Sequence, residues 1–236
     1  MLNLQPKNFD LILWDMDGTL LNFYPAERNA ITTTMQEFGL PECTEEMIAK
    51  YSKINEKYWK RMELGEITKQ EVLEGRFREF FQSEGFPTVD VAAFNARYQV
   101  NLGSKVFFYE DAYEIVANLK GKVPQYAVTN GTSTAQALKL KNSGLGELFD
   151  GVFISDQIGA EKPSQGFCDY VWAHIPQAAA ERILLIGDSL TSDMQTGNNM
   201  GVKCCWFNVY DKPLPADGKP KLDYVIAKLI ELENIL

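Results

Sequence analysis

Histidine is almost missing from this sequence. Only His174 is present, so a histidine-rich metal centre is excluded, and a Ser-His-Asp triad would have to be built on that one residue. A packing or surface role is expected for it. Cysteine is also sparse. Cys43, Cys168, Cys204 and Cys205 show no CxxC spacing, and the adjacent pair lies in the apolar run KCCWFN, so neither a zinc site nor a disulfide framework is indicated. Reduced core thiols in a cytoplasmic protein are the simplest reading. No hydrophobic run approaches the roughly 20 residues of a membrane span. Met1 is followed by LNLQPKNFD, which lacks a basic segment and a long apolar segment, so neither export nor membrane insertion is expected. Basic residues are outnumbered, 23 against 32 acidic, for a net charge of −9. This argues against polymeric nucleic acid as a partner, because that affinity comes from Lys and Arg neutralising phosphates. An anionic substrate would have to be attracted locally. Repeats, low-complexity tracts and charged tails are absent too, and YDKPLPADGKPK (210–221) reads as a plain Pro/Gly-rich loop.

What is present is ample apolar material, 45% of 236 residues, arranged as short runs that end in polar or Gly-rich turns. FDLILWD, PQYAVTNG, DGVFISD, RILLIGD, VKCCWFN and DYVIA are expected strands. Each of the first five is separated from the next by room for a helix, the βαβ rhythm of a doubly wound, Rossmann-like parallel α/β sheet. Ala112, Ile115, Val116 and Leu119 mark a helix before the second run, and Ala135, Leu138 and Leu145 continue after it.

The rhythm breaks between the first and second strands. Met47, Tyr51, Ile54, Tyr58 and Met62 recur at helical spacing, as do Val72, Leu73, Arg76, Phe77 and Phe80, with a capping box at Thr68 and Glu71. The expected organisation is therefore a core domain of residues 1–22 and 103–236 and an inserted all-helical domain of residues 23–102. Because the first strand leads into the insert within a few residues, the insert is expected over the carboxyl end of the sheet, where such folds bind ligands.

Four polar signals follow strand-like runs in order: DMDGT (15–19), VTNG (128–131), EKP (161–163) and GDSLTSD (187–193). Parallel strands bring their carboxyl ends together, so these signals converge on one site carrying carboxylates, a hydroxyl and an ammonium. Such a set suits a cation and an anion together. Taken singly, each signal has a simpler reading. Asp15 and Asp17 could form a strand-end turn with a cap, Asp188 with Ser189 or Asp193 could cap helices, and Lys162 could be a solvated loop lysine.

Together, the four signals resemble the motifs of the haloacid dehalogenase (HAD) superfamily, from Asp15 to about Asn208. The resemblance implies a HAD core with a C1-type helical cap. It also implies a Mg²⁺-dependent phosphomonoester hydrolase in which Asp15 attacks phosphorus to give an aspartyl-phosphate. In that picture Mg²⁺ is held by Asp15, Asp188 and the Asp17 carbonyl, with Asp193 behind them or acting through water. Asp17 protonates the leaving oxygen and then deprotonates water, and an acid at this position favours a phosphatase over a dehalogenase. Thr129 and the backbone N–H groups of Met16, Asp17 and Asn130 hold the phosphoryl oxygens, while Lys162 offsets negative charge.

The insert segment NEKYWKRMELGEITKQEVLEGRF (55–77) resembles the cap of the house-cleaning pyrimidine 5′-nucleotidases of the same superfamily. That resemblance implies a small-molecule nucleoside monophosphate as substrate. Trp59 could stack on the base and Arg76 contact phosphate or sugar; the competing readings are core packing for Trp59 and a helix-surface or cap-to-core place for Arg76. Other small phosphate esters, a sugar-phosphate mutase and a non-catalytic regulatory protein that binds Mg²⁺ and phosphate are the alternatives. The last is expected to have lost Asp15, Asp17 or Lys162, all of which are present.

Overall fold

In a computed structural model, residues 4–86 and 89–236 are described; the parts of the expected domain ranges at residues 1–3 and 87–88 lie outside them. Six strands, β1 (Leu11–Trp14), β2 (Gln125–Thr129), β3 (Gly151–Ile154), β4 (Ile183–Gly187), β5 (Lys203–Phe207) and β6 (Tyr224–Ile226), correspond to the six apolar runs. All pair in parallel, in the order β3-β2-β1-β4-β5-β6, which is the expected doubly wound fold. The chain's direction of travel across the sheet reverses between β1 and β4, so the crevice at their carboxyl ends is the natural ligand position.

β1 and β4 are central and buried on both faces, which is why they read as continuous apolar runs rather than alternating ones. On one face Leu11, Leu13, Ile183 and Leu185 join Phe167 and Val171 in a single apolar cluster. On the other, the Trp14 indole N–H donates to Gln125 Oε1 at 3.0 Å and Gln125 Nε2 to the Val116 carbonyl at 3.1 Å, so the buried polar atoms of that pair are satisfied. All four cysteines are free thiols; burial pushes Cys204 and Cys168 up to about 11, which keeps them protonated core residues.

The chain divides into two compact units. One is residues 1–22, 107–133 and 143–236, and the other is residues 23–106 with 134–142. The second contains α1 (Phe23–Glu37), α2 (Glu45–Glu63), α3 (Lys69–Glu84) and α4 (Val91–Ser104), plus most of α6 (Ser133–Ser143); α5 (Ala112–Leu119) belongs to the sheet unit. This differs from the expected 23–102 range because Ala135 of α6 joins the helical cluster and Asn142 Nδ2 donates to the Gly103 carbonyl at 2.9 Å. The apolar period of α6 was legible in sequence, but not which partner it would meet.

The helical unit forms as its caps and stripes dictate. Thr68 Oγ1 accepts from Glu71 N at 3.3 Å and Glu71 Oε2 from Thr68 N at 2.7 Å, which is the expected capping box of α3. Tyr51, Phe77, Phe80, Phe94 and Tyr98 are fully buried, with Tyr51 and Phe77 stacked at 5.3 Å and Phe77 edge-on to Phe94 at 5.0 Å. Among the described residues, no helix is long and apolar enough to cross a membrane.

Candidate active site

β1 delivers Asp15 one residue past its last strand position. The Asp15 N–H still donates to Ile186 O at 2.9 Å, extending the ladder with β4 before the chain turns. The turn closes on Met16, whose carbonyl accepts from Leu20 N (3.0 Å) and Leu21 N (2.8 Å), while Gly18 N donates to Leu21 O at 2.8 Å. Gly18 has φ +98°, and a Cβ there would lie 2.6 Å from the Asp188 carboxyl carbon. Only glycine lets the two acidic loops approach this closely. The Met16 side chain is buried and Asp17 half-buried on the same turn.

Lys162 is the electrostatic centre. It is 2% exposed, and its three ammonium donors reach three acceptors: Asp15 Oδ1 at 2.8 Å, Asp193 Oδ1 at 2.6 Å and Val128 O at 2.9 Å. The solvated-loop reading of Lys162 is thereby excluded. The second Asp15 oxygen, Oδ2, accepts from the Thr19 hydroxyl at 3.0 Å. Burial alone would depress the Lys162 pKa, but Asp15 and Asp193 reverse this and hold it above the ordinary lysine value, so the ammonium stays charged. Burial, reinforced by Asp193 and opposed by Lys162, pushes Asp15 up to about 7.

Asp193 is placed by a π-helical turn over Leu190–Met194, closed by Met194 N donating to Ser189 O at 3.0 Å. Its Oδ2 accepts from Ser189 N at 3.0 Å, so both of its oxygens serve the protein's own groups. Gly187 makes room, since a Cβ there would sit 2.4 Å from the Asp193 carboxyl group. Asp188 is half-buried at the end of β4, and its carbonyl accepts from the Trp206 indole at 2.9 Å. One oxygen each of Asp15, Asp188 and Asp193 lie within 4.8 Å of one another. Three carboxylates against one ammonium leave excess negative charge, and an all-oxygen donor set of this kind fits a hard divalent cation.

Thr129, at the end of β2, is buried and its Oγ1 accepts from Gly131 N at 3.1 Å. Asn130 does something that its place in VTNG did not announce. Its side chain brackets the Lys162 peptide, with Nδ2 donating to Lys162 O at 2.9 Å and Oδ1 accepting from Lys162 N at 2.8 Å. The Thr19 hydroxyl and the Trp206 indole were likewise missed as supports of Asp15 and Asp188. Short polar residues just after a strand-end acid, and a Trp ending the neighbouring strand, were the available signals.

Trp59 and Arg76 belong to the helical unit. Trp59 is half-buried on α2. The helix-surface reading of Arg76 is corrected: it is 1% exposed, with Nη1 donating to Asn55 Oδ1 at 2.7 Å and Nη2 to Asn95 Oδ1 at 3.1 Å. Its guanidinium also lies 4.7 Å from the Phe77 ring centroid, so its polar fork has partners inside the unit and its flat face has a ring. His174 stacks on Tyr170 at 4.0 Å on the surface, in the packing role expected of it.

A doubly wound sheet whose strand ends present this carboxylate and lysine cluster in this order defines a hydrolase of the HAD type. Residues 12–207 match the family described as haloacid dehalogenase-like hydrolase, and the chain belongs to it. It is 35% identical over 230 residues to the HAD-hydrolase YfnB of Bacillus subtilis, covering 98% of this chain and 96% of that protein. The magnesium-bound crystal structure of YfnB superposes with a TM-score of 0.87 over 98% of this chain and 99% of that one. Identity is 35% over 201 residues to the pyrimidine 5′-nucleotidase PynA of Streptococcus pneumoniae, covering 85% of this chain and 84% of PynA. It is 26% over 231 residues to the pyrimidine 5′-nucleotidase YjjG of Escherichia coli, covering 97% and 98%.

Proposed function

We propose that this protein is a Mg²⁺-dependent phosphomonoester hydrolase acting on nucleoside 5′-monophosphates through an aspartyl-phosphate on Asp15. The observation that carries the reading is the Lys162 ammonium held between Asp15 and Asp193 beside Asp188, at the carboxyl ends of β1 and β4. The two relatives named as pyrimidine 5′-nucleotidases support the substrate class.

Lys162 and the Thr19 hydroxyl each bind one Asp15 oxygen, fixing the carboxylate plane at the strand end so that it meets phosphorus in one orientation. An Asp15 oxygen attacks phosphorus and forms the O–P bond as the P–O bond to the nucleoside breaks, and Asp17 gives that leaving oxygen its proton. Asp17, now ionised, takes a proton from water, and the resulting hydroxide displaces Asp15 and releases phosphate. The Thr129 hydroxyl and the backbone N–H groups of Met16, Asp17 and Asn130 hold the phosphoryl oxygens, and Lys162 offsets charge as it accumulates. Asp15, Asp188 and the Asp17 carbonyl would hold Mg²⁺, with Asp193 behind them, and the ion supplies charge neutralisation between nucleophile and phosphate. In this reading the helical domain acts as a cap that takes part in selecting substrate, with Trp59 among its contacts, whereas Arg76 serves the domain's own packing.

Asp15→Asn is the direct test, assayed with para-nitrophenyl phosphate and a panel of nucleotides and sugar phosphates, with Mg²⁺ and with chelator. Loss of phosphate release in the variant and in chelator is expected. Retained Mg²⁺-dependent turnover in Asp15→Asn overturns the mechanism, and hexose 1-phosphate isomerisation with little phosphate release replaces it with a mutase.

A further inference from the structure

The loop after β5, whose residues 210–221 the sequence marked only as Pro/Gly-rich, carries an aromatic feature that the mechanism does not use. Tyr210 is 47% exposed, yet its ring is held in place. Its hydroxyl lies 3.0 Å from that of Tyr109, and the Tyr109 ring packs edge-on against Phe207 at 5.1 Å and 82°. Phe207 is 3% exposed, so the assembly is rooted in the sheet. The loop itself is braced. Asn208 Oδ1 accepts from Lys212 N and Asn208 Nδ2 donates to Lys212 O, both at 2.8 Å, and Asp211 turns the chain at φ +49°.

Both arms of this assembly are bonded to the acidic site. Tyr109 N donates to Leu20 O at 3.1 Å, in the turn that carries Asp17. Phe207 directly follows Trp206, whose indole donates to the Asp188 carbonyl at 2.9 Å. The backbone that carries Tyr109 and Phe207 is therefore tied to the turns after β1 and β4 that carry the carboxylates, on the β5 side. We propose that Tyr210, backed by Tyr109 and Phe207, is a stacking platform for the base of a nucleoside monophosphate whose phosphate engages Asp15. This inference rests on the nucleotide reading above.

The local chemistry suits the neutral, flat end of such a substrate. Glu110, Asp111 and Asp211 flank the two tyrosines in the chain and disfavour additional phosphates, whereas Lys212 Nζ lies over one face of the Tyr210 ring, 5.8 Å from its centroid, so the base is assigned to the opposite face. Because the ring is already held by its hydroxyl and its loop, little conformational freedom is lost on binding. A tyrosine face also accepts any base, so the platform gives preference for nucleotides over sugar phosphates without choosing among bases.

The test compares kcat/KM for uridine 5′-monophosphate with that for ribose 5-phosphate, which has the same sugar and phosphate but no base, in the Mg²⁺-loaded protein. In Tyr210→Ala the ratio is expected to fall on the order of ten-fold, through KM, and in Tyr210→Trp it is expected to hold. An unchanged ratio in Tyr210→Ala overturns the platform alone, as does an equal loss in Tyr210→Trp. A wild-type protein with no preference for the nucleotide overturns the nucleotide reading and the platform together.

Discussion

Lys162 Nζ donates to Asp193 Oδ1 at 2.6 Å while also holding Asp15 at 2.8 Å, so one buried ammonium serves two buried carboxylates. Removing the cation leaves two like charges facing each other out of water. Lys162→Met is therefore expected to destabilise the protein by about 3–5 kcal/mol and to abolish phosphate release. Adding Asp193→Asn removes one of the two charges and with it their mutual repulsion, so the double variant is expected to be more stable than the two single effects sum to. Urea denaturation of the four proteins in the cycle measures this; simple additivity would show that the two side chains are not coupled.

Gly18 and Gly187 separate two kinds of constraint at the site. Gly18 has φ +98° and a Cβ would meet Asp188, whereas at Gly187 a Cβ would meet Asp193 and no left-handed backbone is involved. Gly18→Ala is expected to cost about 1–3 kcal/mol of backbone strain and also displace Asp188. Gly187→Ala is expected to act through displacement of Asp193 and with it Lys162. Both variants should lose phosphate release by at least about 100-fold, as removal of an electrostatic group does. Raising Mg²⁺ should recover part of the activity of Gly18→Ala and none of that of Gly187→Ala, because only the first displaces a residue proposed to hold the ion directly. Equal recovery in the two would argue against the separate roles of Asp188 and Asp193.

Acid stability should depend on Glu37. Arg97, through Nε at 2.7 Å and through Nη2, and Asn101 Nδ2 at 2.8 Å hold its carboxyl down to about 2, against an ordinary value of 4.5. A carboxylate with a depressed folded-state pKa contributes stability above its unfolded value and loses it as pH falls toward the folded one. The stability gap between wild type and Glu37→Gln should accordingly be full at pH 7, begin to shrink below about 4.5 and close toward 2. Urea midpoints at pH 7, 5 and 3 read it, and a gap independent of pH would show that the charge of Glu37 is not what binds α1 to α4.

How much of this was legible in the sequence follows from which interactions are periodic or local. The buried strands could be read from uninterrupted apolar runs, and the α3 cap from Thr68 and Glu71 three residues apart. Asp15, Lys162 and Asp188 were legible because parallel strands must bring their carboxyl ends together. Asn130 bracketing Lys162, and Trp206 binding the Asp188 carbonyl, were not. These are side chain to backbone bonds between distant segments, and no period or local spacing encodes them. The exposed pairing of Tyr109 with Tyr210 was hidden as well, since it joins side chains 101 residues apart and only Tyr210 lies in the loop whose composition announced a turn.

Arg76 shows a case where the signal was present and its meaning was not. It fell in phase with Val72, Phe77 and Phe80 on α3, and the structure buries it with them. Its fork reaches Asn55 on α2 and Asn95 on α4, and Asn55 Nδ2 passes the chain on to Glu27 of α1 at 2.7 Å, with Ser52 on the other Glu27 oxygen. Burial raises the Glu27 pKa, and Ser52, Asn55 and the Arg76 charge oppose that rise. The guanidinium does this while lying over Phe77 and Tyr98, 4.7 and 5.1 Å from the ring centroids. Arg76→Met is expected to cost about 3–5 kcal/mol, since it strands a buried carboxyl and two amides. Arg76→Lys keeps the charge, but a single ammonium cannot reach both asparagines and cover the rings, so it should remain about 2 kcal/mol below wild type. Denaturation of both variants measures this. A fully stable Arg76→Lys would mean that a point charge suffices and that the planar fork is not what joins the four helices.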